Sequence, residues 1–130
     1  MTVQINYNNN GLKNTKSNLI LFVGENFNIG SLKKHISSTE FLYISDLLKI
    51  SNTKRNLLVF EISSKKRIVL LPIKKEIQTF EVENLGADLY KRIKHEKNNE
   101  YFLNTDTVIS KIENFVGYFL HGLKLKSYEF

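Results

Sequence analysis

Val3, Ile5 and Tyr7 alternate with polar neighbours, the two-residue period of a half-buried strand. Residues 8–18, NNNGLKNTKSN, read as turn or loop by composition. Leu19 to Gly24, LILFVG, is a continuous apolar run, which predicts a strand covered on both faces. ENFNIG then turns the chain. Ser37 stands three residues before Glu40, the spacing of a helix capping box. Phe41, Ile44, Leu47 and Leu48 follow on one helical face, so a helix over Phe41 to Ile50 is expected.

Asn56 to Ile62, NLLVFEI, predicts a second buried strand, and Arg67 to Ile73, RIVLLPI, a third. The SSKK between them has hairpin length. Pro72 donates no ladder bond, so the third strand should finish there. A longer helix follows, with Thr79 as its expected cap and Glu81 and Glu83 in its first turn. Lys91, Arg92, Lys94 and Lys97 fall in its last turns, a polarity that complements the helix dipole. Val82, Leu85, Leu89 and Ile93 form its apolar stripe. Glu100 to Asn104, EYFLN, predicts a fourth apolar strand. A last helix is expected from a cap at Thr105 or Asp106, with Val108, Ile112, Phe115, Val116, Phe119, Leu120 and Leu123 on its buried face. Strands alternating with helices, one pair joined by a short turn, predict an α/β three-layer sandwich with a mixed sheet.

Composition adds little. The 130 residues fit a single domain, and 42% apolar with 25% charged residues is ordinary for a globular chain. There is no cysteine, which rules out disulfides and thiolate sites. No basic stretch followed by an apolar core marks the first residues as a signal peptide. A cytoplasmic setting is the default expectation. The net charge of +6 admits an acidic partner, nucleic acid included. Spread over many lysines, it reads more simply as a solvated surface.

Candidate chemistry is sparse. His35, His95 and His121 lie far apart, and none has a second ligand at metal-binding spacing on one helical face. VGENFNIGS follows a strand but lacks the Gly-Lys-Ser/Thr triplet of a phosphate loop. Lys65 to Lys75, KKRIVLLPIKK, puts cations at both ends of a strand, where they can meet phosphates or keep a sheet edge soluble. Asp46, Asp88 and Asp106 each have a local role on a helix or at a cap. No acid–base pair and no Gly-x-Ser-x-Gly elbow is visible. No catalytic, cofactor-binding or metal-binding residue is assigned.

Two stretches carry a resemblance. ENLGADLYKRIK, followed by an apolar strand and then ISKIENFVGYFLHGLKLKSYEF, resembles the leucyl (cytosol) aminopeptidase family. The shared marks are a helix with a Gly-Ala step after the third strand and a Gly-x-x-Leu-x-Ser-Tyr-x-Phe segment. Gly122, Leu125, Ser127, Tyr128 and Phe130 stand in the places of that segment. The order of the upstream strands is also similar to the family's N-terminal domain, although LPIKKE replaces a glycine-rich turn and the early loops are shorter. The resemblance implies a macro-domain-like fold and an N-terminal domain cut at its border. It also implies a parent that removes N-terminal residues from peptides with a metal-activated water.

The two divalent metals, zinc or manganese, and the catalytic side chains would belong to a C-terminal domain. No position of this chain matches them. The expected partners are that catalytic domain and the sister subunits of a homo-hexamer, whose assembly and active-site access this domain would shape. A nucleic-acid or nucleotide binding module using the lysine-rich surface is the alternative. A free-standing interaction domain is a third. Phe115, Phe119 and Leu123 should be buried, and Leu125, Tyr128 and Phe130 should lie exposed on a docking face.

Overall fold

A computed structural model describes residues 4–8, 18–51, 57–63, 66–95 and 100–128. Strands β1 (Gln4–Asn8), β2 (Asn18–Val23), β3 (Leu58–Ser63), β4 (Lys66–Pro72) and β5 (Glu100–Asn104) form one sheet, with helices α1 (Ser38–Leu48), α2 (Thr79–Ile93) and α3 (Phe115–Ser127). The strand order among the described residues is β1-β5-β2-β4-β3. All neighbours are parallel except β3 and β4, the pair on either side of the short SSKK connection. The fold is α/β with a mixed sheet, in three layers. The loop read at residues 8–18 lies mostly outside the described residues, as do Lys97 and Phe130.

Alternation along the central strands sorts the core into its two sides. Ile20 and Phe22 of β2, Val69 and Leu71 of β4 and Tyr101 and Leu103 of β5 pack beneath α2 and α3. Leu19, Leu21 and Val23, with Ile68 and Leu70, pack against α1 and the turns before it. Every residue of β2 is buried, which explains its unbroken apolar run. Burying each such side chain stabilises the fold by roughly 1.5–3 kcal/mol. Buried Asn18 opens β2 between its two neighbours. Its amide donates to the Glu100 carbonyl at 3.1 Å and accepts from the Arg67 N–H at 2.8 Å.

The capping box expected at Ser37 and Glu40 forms, and it starts α1 at Ser38, three residues before the expected Phe41; the helix ends at Leu48 rather than Ile50. The Glu40 N–H donates to the Ser37 hydroxyl, and the Ser37 N–H donates to Glu40 Oε1, both at 3.1 Å. The other oxygen of Glu40 meets Lys66 Nζ at 2.6 Å, and both side chains are nearly buried.

Three expectations need correction. β3, like β1, is an outer strand of the described sheet, and only Phe60 on it is buried; an apolar run cannot reveal which strand has a single neighbour. Thr79 is the first helical residue of α2, and the cap position is Gln78, whose N–H donates to Glu81 at 3.1 Å. The last helix begins at Phe115, not near Thr105. Thr105–Thr107 form a 3-10 turn, and Val108 and Ile112 reach the core from irregular chain beyond it.

α2 and α3 cross where each carries a glycine. A Cβ built on Gly86 would strike the Phe119 carbonyl oxygen and come within 2.9 Å of the Leu123 nitrogen. A Cβ on Gly122 would strike the Glu83 carbonyl and come within 2.6 Å of its Cα. The two backbones touch directly. Below the crossing, the Phe22 ring meets Phe115 and Phe119 edge to face, at 5.2 and 5.1 Å, a favoured aromatic geometry.

Gly122→Ala should destabilise the protein by about 1–3 kcal/mol in urea denaturation, because overpacking displaces one helix. Gly30→Ala is the control: its Cβ would find only Asn28 Oδ1, at 3.5 Å, and should be close to neutral. Equal effects of the two substitutions would contradict a rigid backbone contact.

Candidate ligand cleft

β2, β4 and β5 run parallel and end side by side. Their exits part there. The chain after β2 leads to α1 on one side of the sheet, and the chain after β5 leads to α3 on the other. Such a divergence opens a crevice at the carboxyl ends of the strands. A cleft of about 520 Å³ occupies it. Phe22, Val23 and Ile73 supply its apolar floor, and the exposed Ile109 forms a lip. Ser31, Ser110 and Thr107 bring hydroxyls, and Glu25, Lys74, Lys75 and Lys111 bring charge.

The walls are held by hydrogen bonds that replace lost strand pairing. Thr107 Oγ1 accepts from the Phe22 N–H at 2.9 Å and donates to the Asn104 carbonyl at 2.7 Å. One buried hydroxyl therefore ties the β5 exit to β2. The Ile73 N–H continues the β4 pairing by donating to the Val23 carbonyl at 2.8 Å. The Lys75 N–H donates to Glu25 Oε1 at 2.7 Å. The turn after β2 holds the buried Phe27 at φ 57°, a left-handed conformation that costs a bulky residue about 1–3 kcal/mol. A backbone bridge between Gly24 and Asn28 closes this turn around it.

Lys74 Nζ lies 2.9 Å from Glu81 Oε2. This hydrogen bond, with a further one from the Gln78 N–H, holds the Glu81 carboxyl below its usual 4.5. The same bond and the charge of Glu81 raise Lys74 above its usual 10.5. Among the described residues, the ammonium groups of Lys75 and Lys111 have no carboxylate partner within ion-pair distance.

The three histidines do not converge. His35 Nδ1 meets the Asn104 amide nitrogen at 3.1 Å. The Asn104 Oδ1 already accepts from Asp106 N–H, so the amide nitrogen donates and Nδ1 accepts. His121 Nδ1 lies 2.7 Å from Glu83 Oε2 beside the helix crossing. His95 is exposed past the end of α2. Asp46 pairs loosely with Lys49 at 3.7 Å. No group of three or more His, Cys, Asp or Glu side chains among the described residues converges as a metal would require. No helix among the described residues is long and apolar enough to cross a membrane.

The cationic strand also reads differently in three dimensions. β4 is an inner strand, so its lysines do not guard a sheet edge. Lys66 is buried against Glu40, and Arg67 bonds Glu61 Oε1 and the Tyr101 hydroxyl, each at 3.1 Å. Lys74 and Lys75, past the strand end, are the members that reach the cleft. Thr107, Ile109, Ser110 and Lys111 were hidden by the helix expected over them. The signal available was TDTVIS itself, a run of turn-forming and β-branched residues with little helical preference.

Thr107→Val keeps the shape and strands the Phe22 N–H, so a loss of about 1–3 kcal/mol in stability is expected. Wild-type thermal stability without such a loss would remove this tie from the account. Glu81 is held low in the folded state, so its contribution is present above about pH 4.5 and is lost as pH falls through the lowered folded value. Lys74 is the mirror case, losing its contribution as pH rises through its elevated folded value. Melting curves of Glu81→Gln and wild type should therefore approach one another from pH 5 to pH 3, roughly the range of carboxylate titration. A constant gap across that range would contradict the pairing.

No protein-family model matches this chain, and no curated protein matches it in sequence.

Proposed function

We propose that the chain is the non-catalytic N-terminal domain of a leucyl aminopeptidase, a unit that shapes subunit contacts and access to the active sites. The observation that carries this reading is how the motif behind the resemblance divides in space. Gly122 turns inward and seats α3 on α2. Phe115, Phe119 and Leu123 are buried, whereas Leu125 and Tyr128 stand 54% and 60% exposed just beyond them. An apolar end on a well-packed helix suits a surface that another domain covers. The other stretch, around Gly86, supplies the opposite half of the same crossing.

On this reading the hydrolytic chemistry resides in a second domain with two divalent metals, and a cytoplasmic homo-hexamer is the assembly. The lysine-rich alternative draws less support as a nucleic-acid track. Lys66, Arg67 and Lys74 are engaged with carboxylates, so among the described residues no continuous row of free cations runs along β4.

The test pairs two measurements. The polypeptide isolated from its source cells should show an intact mass of several hundred residues. It should also cleave leucine-p-nitroanilide when supplied with zinc or manganese. Residues 1–130 alone, free of host aminopeptidases, should not cleave it under the same conditions. A native polypeptide without aminopeptidase activity, or cleavage by residues 1–130, would overturn the proposal.

A further inference from the structure

We infer that the cleft at the carboxyl ends of β2, β4 and β5 binds a nucleoside monophosphate, independently of any aminopeptidase role. Four observations converge on that chemistry. The volume of about 520 Å³ lies within the range of small-molecule sites, which hold mostly apolar surface and a few placed polar groups. Val23, Ile73 and the Ile109 lip offer an apolar bed for a flat ring. Lys75 and Lys111 bring ammonium groups to the rim, and among the described residues neither is ion-paired with a carboxylate. Both come from separate strand exits, so a phosphate between them gains from two cations already held apart by the fold.

Polar groups complete the match. Glu25 engages the Lys75 backbone through Oε1, which leaves its other oxygen to accept from a ribose hydroxyl or an amino group. That carboxylate repels a phosphate, and so sets the ligand's direction, with the anionic end toward the lysine rim. Ser31 and Ser110 bring further hydroxyls to the walls. The walls are preorganised rather than formed on binding, because Thr107, Ile73 and Lys75 fix the three exits through hydrogen bonds of 2.7–2.9 Å. Preorganisation lowers the cost of ordering the site around a ligand. The exposed lysines make the interaction salt-sensitive.

Calorimetric titration of the protein with AMP in low salt tests this. Saturable binding with a Kd below about 1 mM is expected. Lys75→Gln together with Lys111→Gln should weaken it by roughly tenfold or more. The exposed pair Lys49→Gln and Lys124→Gln, outside the cleft, should leave it unchanged. Ile109→Glu should weaken AMP and adenosine alike. Inorganic phosphate should bind at least about tenfold more weakly than AMP. Absence of saturable AMP binding would overturn the proposal. So would equal losses in both lysine pairs, which would mark a diffuse charge effect, or phosphate binding as tight as AMP. Melting temperatures of all variants should match wild type, so that lost binding is not lost folding.

Discussion

The close crossing of α2 over α3 is the constraint on which the rest of this fold leans. Glycine costs a helix interior about 1 kcal/mol relative to alanine, and this protein places one in the middle of each crossing helix. The return is contact between backbones, with the Gly86 site against Phe119 and the Gly122 site against Glu83. That approach presses Phe115 and Phe119 onto Phe22 and covers the central strands from one side. α3 itself begins after Asn114, held at φ 56°, and the chain between β5 and that point walls the cleft. A wider crossing would move Phe119 off Phe22.

The cleft follows from topology and is trimmed by local chemistry. Parallel strands with exits to opposite sides leave a gap at their ends, whatever the sequence. Thr107 then decides its shape, because a hydroxyl stands where β5 would otherwise have paired with β2. The left-handed Phe27 lies on the other wall, at the turn out of β2. Of the charges around the gap, Lys74 is committed to Glu81, whereas Lys75 meets Glu25 through its backbone N–H alone.

Much of the scaffold was legible in the sequence because its signals are local. The run from Leu19 to Val23 suits a strand buried on both sides, and the Ser37–Glu40 spacing marks the capping box that opens α1. The failures share a cause in non-local partners. NLLVFEI reads as a buried strand, yet its position is set by which strands β4 already pairs with. Val108 and Ile112 keep helical spacing with Phe115, yet Thr107 spends its hydroxyl on Phe22, a residue 85 positions away. The cleft was legible least of all. Its residues come from three separated segments: VGENFNIGS reads as a turn that lacks a phosphate-loop triplet, the lysines after Pro72 read as the end of a strand, and TDTVIS is covered by the expected helix.

Glu40 is one carboxylate with two commitments. One oxygen caps its own helix, and the other holds Lys66 in a nearly dry pocket at the start of β4. α1 therefore cannot fray at its first turn without exposing a charge that the hairpin has already desolvated. Local opening of this helix is thereby coupled to undocking of the strand, and the two form one cooperative unit. Amide protons in the first turns of α1 should exchange only as slowly as those of β4, although a free helix of eleven residues would open on its own.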